Sequence, residues 1–225
     1  MTYGWDDTCS GGIWWSKDRK YKNAIANELF LSVAAELANQ TTSVRDRAEY
    51  LRWAKKEWAW FSQSGMINGK NLVNDGLNAK CENNQRTTWT YNQGVILGGL
   101  AGVFKLDHNP LLLIRANEIA HAAVSALSDT HGILHDSCEP QCGADGTQFK
   151  GIFVRNLRRL AEAEPGRALY GKFILTNADS IWSQMQLPAD HLGQSGAAPV
   201  GASDASTQSS ALDALVAAMS IQKRR

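Results

Sequence analysis

From Asn23 to Asn39 apolar residues return at helical spacing, with Ile25 and Ala26, Leu29 and Phe30, Val33 and Ala34, then Leu37 and Ala38. The spacing predicts a helix with a broad buried face. A brief turn, Gln40-Thr41-Thr42, leads to Ser43 with Asp46 three residues on, a capping-box-like start for a second helix that carries Tyr50, Ala54, Trp58 and Phe61 and ends at Gly65. A third helix is predicted from about Tyr91 to Leu106, and Asn109-Pro110 opens a fourth. A fifth runs from about Phe149 to Glu164, Pro165-Gly166 leads into a sixth that ends before Pro188, and a last helix carries Leu212, Leu215, Val216 and Met219. The pattern gives roughly seven helices and no convincing strand, hence an all-α single domain over residues 1–225.

Short turns alternate with long loops at 65–89, 129–147 and 188–203. Antiparallel hairpins joined in this way bring every long loop to one end of the domain, and a site is expected there. Gly94, Gly98 and Gly102 fall four apart in the third helix, a smooth stripe suited to a helix wedged inside a ring of helices.

The formal charge of +1, without a run of Lys or Arg, excludes a nucleic-acid groove or an anionic membrane as the main partner. No apolar run reaches the length of a membrane span, and the first residues, Met1 to Asp7, have neither the basic start nor the apolar middle of a signal peptide. Eight Trp residues are many for 225, and several fall in or beside loops, where indoles stack on sugar rings; Trp53 and Trp58 are expected to pack helices instead.

His131, His135, Cys138 and Cys142 have spacings a tetrahedral zinc site could use, but the pattern is not a standard one. A Cys138–Cys142 disulfide is the simpler use of those thiols, so no metal and no cofactor is expected. Cys9 and Cys81, in loops at the same end, form a candidate second bridge, and cysteines so placed suggest an oxidising compartment. Adjacent Asp6 and Asp7 read equally well as a glycosidase pair and as turn residues ahead of Thr8-Cys9-Ser10-Gly11-Gly12. Asp75 lies among amides on the long-loop face, which favours a ligand contact. No nucleophile elbow or phosphate loop occurs.

Gly11-Gly12-Ile13-Trp14-Trp15, Lys22-Asn23-Ala24-Ile25-Ala26-Asn27-Glu28, Asn74-Asp75-Gly76-Leu77, Trp89-Thr90-Tyr91-Asn92-Gln93-Gly94, Cys138-Glu139-Pro140, Phe149-Lys150-Gly151-Ile152-Phe153 and Ser209-Ser210-Ala211-Leu212 together resemble glycoside hydrolase family 76. These are endo-α-1,6-mannanases, with fungal cell-wall relatives that handle mannan-bearing anchors. The resemblance spans essentially the whole chain and implies an (α/α)6 toroid, here incomplete, with inner helices starting near Asn23, Tyr91, Phe149 and Ser206 and the N-terminal hairpins lacking. It implies a secreted or cell-wall protein acting on α-1,6-mannan or manno-oligosaccharides. Asp75, Tyr91 and Asn92 would bond mannose hydroxyls, Trp14 and Trp89 would wall the groove, and Phe149 and Lys150 would line its far side. The family's two consecutive catalytic aspartates lead into a Trp-containing helix, and no Asp-Asp-x-x-Trp-Trp occurs in this chain. Asp6-Asp7 falls where the family has a later loop, so it is withdrawn as the pair and the catalytic residues are left unassigned. The chain is then expected to be inactive, or to be a non-catalytic mannan-binding or wall-scaffold protein related to transglycosidases.

Overall fold

The computed structural model describes residues 2–164, 168–184 and 204–222. Their helices are α1 (Ala24–Gln40), α2 (Val44–Phe61), α3 (Thr90–Asp107), α4 (Pro110–Ala126), the single turn α5 (Gly143–Gly146), α6 (Phe149–Ala163), α7 (Ala168–Gln184) and α8 (Ala205–Gln222). Apart from α5, which lies inside the second long loop, these are the helices the periodicity predicts. Among the described residues extended structure is limited to isolated bridges, such as Asn23 with Gly76 and Leu77 with Asn83.

Local chemistry sets the helix starts. Asn23 accepts from the Ala26 amide at 3.3 Å, Ser43 from Asp46 at 3.2 Å, and Asn109 from Leu111 at 3.1 Å with Pro110 in the first turn. At the other end of α3, His108 takes the left-handed conformation at φ 51° and turns the chain directly into α4.

α1 packs on α3, α3 on α6 and α6 on α8, which makes an inner row, while α2, α4 and α7 lie outside it. All four inner helices begin at the end where the long loops gather. The alternation of short turn and long loop predicts this arrangement; the 188–203 loop itself lies outside the described residues.

α3 is the most enclosed element, with Thr90 and every residue from Asn92 to Val103 buried. Its glycines serve two neighbours rather than one stripe. A Cβ on Gly94 would strike the Phe153 backbone and one on Gly98 the Asn156 side chain, both on α6. Gly99 and Gly102 instead give room to Leu31 and Ala35 of α1. Wedged between two helices, α3 therefore needs small residues on two faces, which corrects the single-stripe expectation.

The two outermost members of the row keep apolar faces open. α1 exposes Leu29, Val33 and Leu37, and α8 exposes Leu212, Val216 and Met219, each set at helical spacing. The fold is an incomplete (α/α) toroid, and among the described residues the inner row is not closed between α8 and α1. Both expected disulfides are present, Cys9–Cys81 and Cys138–Cys142.

Candidate functional site

The 65–89 loop is stitched onto the start of α1 by its backbone. The Ala24 amide donates to the Asp75 carbonyl at 2.8 Å and the Leu77 amide to the Lys22 carbonyl at 3.0 Å. The two strands of chain come so close at Gly76 that a Cβ there would lie 2.6 Å from the Tyr21 hydroxyl and 2.7 Å from the Lys22 carbonyl. Glycine is therefore required beside Asp75 by close approach. Gln93, from the first turn of α3, fastens the same loop: its carbonyl accepts from the Val73 amide and its amide donates to the Val73 carbonyl, both at 2.8 Å. Asn74 is occupied internally, accepting from Asn68 and Asn83 and donating to the Arg86 carbonyl.

Asp75, so placed, is half-buried and accepts a hydrogen bond from the Tyr21 hydroxyl, which itself accepts from Asn84 at 2.8 Å. Burial, and then Asp75, push the Tyr21 phenol well above its ordinary pKa. Tyr91 is raised in the same way, by burial first and then by the acidic groups Glu28 and Asp75. Phenols held neutral beside a carboxylate are hydrogen-bond donors and flat faces at once.

The aromatic wall stands at the N-termini of α3 and α6. Tyr91 stacks on Phe149 with ring centroids 4.0 Å apart, and Trp89 meets the Phe149 edge at 5.5 Å. α3 has no capping side chain of its own. Asp136, from the second long loop, takes that role by accepting from the Thr90 amide at 2.9 Å and the Thr90 hydroxyl at 2.6 Å. Burial raises the Asp136 pKa in spite of those bonds. Next to it, Glu139 lies 2.6 Å from Lys150 and 2.7 Å from His135 Nδ1. The Lys150 contact is an ion pair poorly directed for a hydrogen bond. Burial alone would raise Glu139, but Lys150 and then His135 hold it below the usual carboxylate range.

Asp6 belongs to another assembly. The buried Lys22 ammonium reaches Asp6 at 2.8 Å and the carbonyls of Thr8 and Gly11 at 2.6 Å each. The Trp14 indole donates to Asp6 at 2.7 Å, and the Lys22 ammonium lies 4.8 Å from the Trp14 ring. Burial opposes ionisation of Asp6, but Lys22, Trp14 and the Thr8 amide outweigh it and bring its pKa from 3.8 to about 2. Asp7 is exposed. Asp6 is a clip for the entry loop, in line with the turn reading.

Of the residues singled out in the sequence, Asp75, Tyr91, Trp89 and Phe149 come together. Asn92 lies buried behind them in α3, and Lys150 is engaged by Glu139. Trp14 is held in the Asp6–Lys22 clip. Cys138 and Cys142 are spent on a disulfide, so neither is a thiolate ligand for zinc, and His135 turns to Glu139. Tyr21, Glu28, Asn84, Asp136 and Glu139 complete the neighbourhood without having been singled out as site residues. A Tyr one residue before Lys22-Asn23 was the available signal for Tyr21; Asp136 carries no local signal, since its partner is 46 residues away.

The model of the family described as glycosyl hydrolase family 76 matches residues 1–224. The chain is 30% identical over 179 residues to mannan endo-1,6-alpha-mannosidase DFG5 of Candida albicans, an alignment covering 73% of this chain and 39% of that protein. It is 32% identical over 178 residues to mannan endo-1,6-alpha-mannosidase DCW1 of Saccharomyces cerevisiae, with 73% and 38% covered. Among solved structures, the GH76A alpha-1,6-mannanase of Salegentibacter superposes with a TM-score of 0.86 at 26% identity over 98% of this chain and 66% of that one. An inactive variant of that enzyme, with two consecutive aspartates replaced, has been solved with alpha-1,6-mannotriose. A Listeria innocua protein superposes equally well, with a TM-score of 0.86 at 25% identity over 100% of this chain and 63% of its own. The chain thus spans about two-fifths of the length of the curated relatives and about two-thirds of the solved ones.

Proposed function

This chain belongs to glycosyl hydrolase family 76, and from that premise we propose that its loop end binds α-1,6-linked mannan. The observation that carries the reading is the Trp89–Phe149–Tyr91 wall beside the half-buried Asp75 carboxylate. Aromatic faces suit the apolar faces of a pyranose, and Asp75 supplies an acceptor for its hydroxyls. Asn92 and Lys150 would serve the same groove once side chains adjust, and Trp14 would border it from the entry loop.

For chemistry, the reading is a mannan endo-1,6-α-mannosidase-like fold whose catalytic aspartate pair this chain does not carry. Asp6-Asp7 is its one adjacent aspartate pair, and Asp6 is neutralised by Lys22. The open faces of α1 and α8 fit further hairpins at the N-terminal side, which would complete the ring. Two disulfides favour a secreted or cell-wall setting.

Calorimetry with α-1,6-mannotriose, together with reducing-end release from linear α-1,6-mannan, tests this. Binding without turnover is expected, lost in Asp75→Ala and Trp89→Ala. Clear turnover by the chain would overturn the absence of a catalytic pair, and no binding would overturn the mannan reading.

A further inference from the structure

Glu28 is the fifth residue of α1, and its side chain is wholly buried. Neither carboxyl oxygen has a hydrogen-bond partner, and the same holds for both amide atoms of Asn92, also wholly buried, on α3. The close approaches of Gly99 to Leu31 and of Gly102 to Ala35 show the two helices running parallel in a fixed register. In that register Glu28 and Asn92 both lie at the N-terminal, site end of one interface. Buried polar atoms in native proteins find partners, so four such atoms gathered there point to shared internal water rather than to a dry core.

The surrounding charges decide the state of Glu28. The charged group that acts on it is Asp75, of like sign; Tyr91 from α3 feels Glu28, Asp75, Tyr21 and Asp136, all acids. Arg86 acts on Tyr21, and no cation of the described residues is among the groups that act on Glu28. Glu57 of α2 is also buried and without a hydrogen bond, and burial raises it well above its ordinary pKa even against the pull of Lys22 and Lys56, cations that Glu28 does not have. A fully buried carboxyl with a carboxylate neighbour and no cation cannot be held ionised.

We propose that Glu28 is a positioning residue for the sugar-binding face: it stays a neutral acid under the site, linked to Asn92 through internal water, and leaves Asp75 as the carboxylate that Tyr21 and a sugar hydroxyl share. Ionising Glu28 sets a second negative charge behind Asp75 and drives the two apart, which misplaces Asp75. Burial and Asp75 together raise the Glu28 pKa well above its ordinary value, in keeping with this. The positioning role rests on the mannan reading of Asp75; the proton on Glu28 does not.

The test compares the parent chain with Glu28→Gln, an isosteric neutral amide. In the parent, folding stability is full below the ordinary glutamate pKa and falls as pH rises, because the folded state keeps a proton the unfolded chain has lost. The folding constant of the parent relative to Glu28→Gln should therefore drop by close to tenfold per pH unit between the ordinary and raised values. Buried Glu57 is raised as well, so one component of the protonated-acid carbonyl absorption at neutral pH should be lost in Glu28→Gln and kept in Glu57→Gln. Mannotriose affinity should weaken in the parent as Glu28 titrates and stay level in Glu28→Gln. Parallel stability profiles with an unchanged band would overturn the proton assignment. An affinity that declines alike in both chains would overturn the positioning role. If the parent does not bind mannotriose at all, the sugar reading and the positioning role both fall, while stability and infrared still report on the proton. Should Glu28→Gln not fold, isotope-edited titration of glutamate carboxyls in the parent reads the same group.

Discussion

Asp6 and Asp75 are two loop carboxylates whose loops both meet the start of α1, yet the chain treats them in opposite ways. Asp6 receives Lys22 at 2.8 Å, the Trp14 indole at 2.7 Å and the Thr8 amide at 3.1 Å, so its acceptor capacity is largely filled from within. Asp75 receives one hydrogen bond among the described residues, from a phenol, and has an aromatic wall as neighbour. A carboxylate satisfied by the chain fastens a loop. One left with spare capacity beside flat rings is equipped for a ligand. The difference lies in the partners and not in the residue type, so adjacency of two aspartates in the sequence says little about which carboxylate keeps acceptor capacity free.

The largest break in this comparison comes from removing the cation. Lys22→Ala leaves Asp6 and the carbonyls of Thr8 and Gly11 without the buried donor that joins them. Loss of one partner from a buried pair costs roughly 3–5 kcal/mol. Denaturant unfolding should show a loss of this order, and a loss under about 1 kcal/mol would mean the clip contributes little. Next comes the covalent fastening of the same loop. Cys9–Cys81 spans 72 residues of sequence and Cys138–Cys142 only 4. On the chain-entropy account, replacing the first pair by Ala should cost about 2–4 kcal/mol and replacing the second distinctly less. Equal losses would remove loop closure as the reason.

Asp75→Asn sharpens the other side. With only the Tyr21 hydroxyl to disappoint, stability should shift by less than about 1 kcal/mol, because an amide oxygen still accepts. Mannotriose affinity should fall by roughly 10- to 100-fold, the range of a hydrogen bond to a charged group. A large loss of stability with unchanged affinity would reverse the roles assigned to the two aspartates.

The helices were legible because a buried face recurs every three to four residues, and the alternation of loop lengths was enough to put the inner helix starts at one end. The place of Asp75 on the loop end was legible as well, since a carboxylate among amides next to a glycine has few core uses. Lys22 was not, because a loop lysine is ordinarily solvated and only the fold shows four oxygens around its ammonium. Glu28 was hidden differently: one acidic residue between Ile25 and Leu29 reads as the polar face of an amphipathic helix. In the ring that face meets α3, while Leu29 points out of it. Asp136 acts as the cap of a helix that begins 46 residues earlier, and periodicity carries no information about such pairs. The pattern that predicts a helix thus does not say which of its faces a ring will enclose.

The smallest effect separates the two carboxylates by pH alone. The Asp6 pKa is lowered from 3.8 to about 2 in the folded chain, so the folded state releases a proton that the unfolded chain holds between these values. The stabilisation is fully present above about pH 4 and is lost as pH falls through about 2. The full shift would be worth a little over 2 kcal/mol, but the Asp6 side chain is 26% exposed, and screening reduces the expected contribution to about 1–2 kcal/mol. Asp6→Asn should remove this acid-side slope while leaving the slope due to Glu28 in place, since the latter has the opposite sign and sets in above the ordinary glutamate pKa. Urea unfolding of the parent and Asp6→Asn between about pH 2 and pH 5 measures it. A slope that survives the substitution would assign the acid sensitivity to other carboxylates held below their ordinary range, with Glu139, paired to Lys150 and His135, the first to replace.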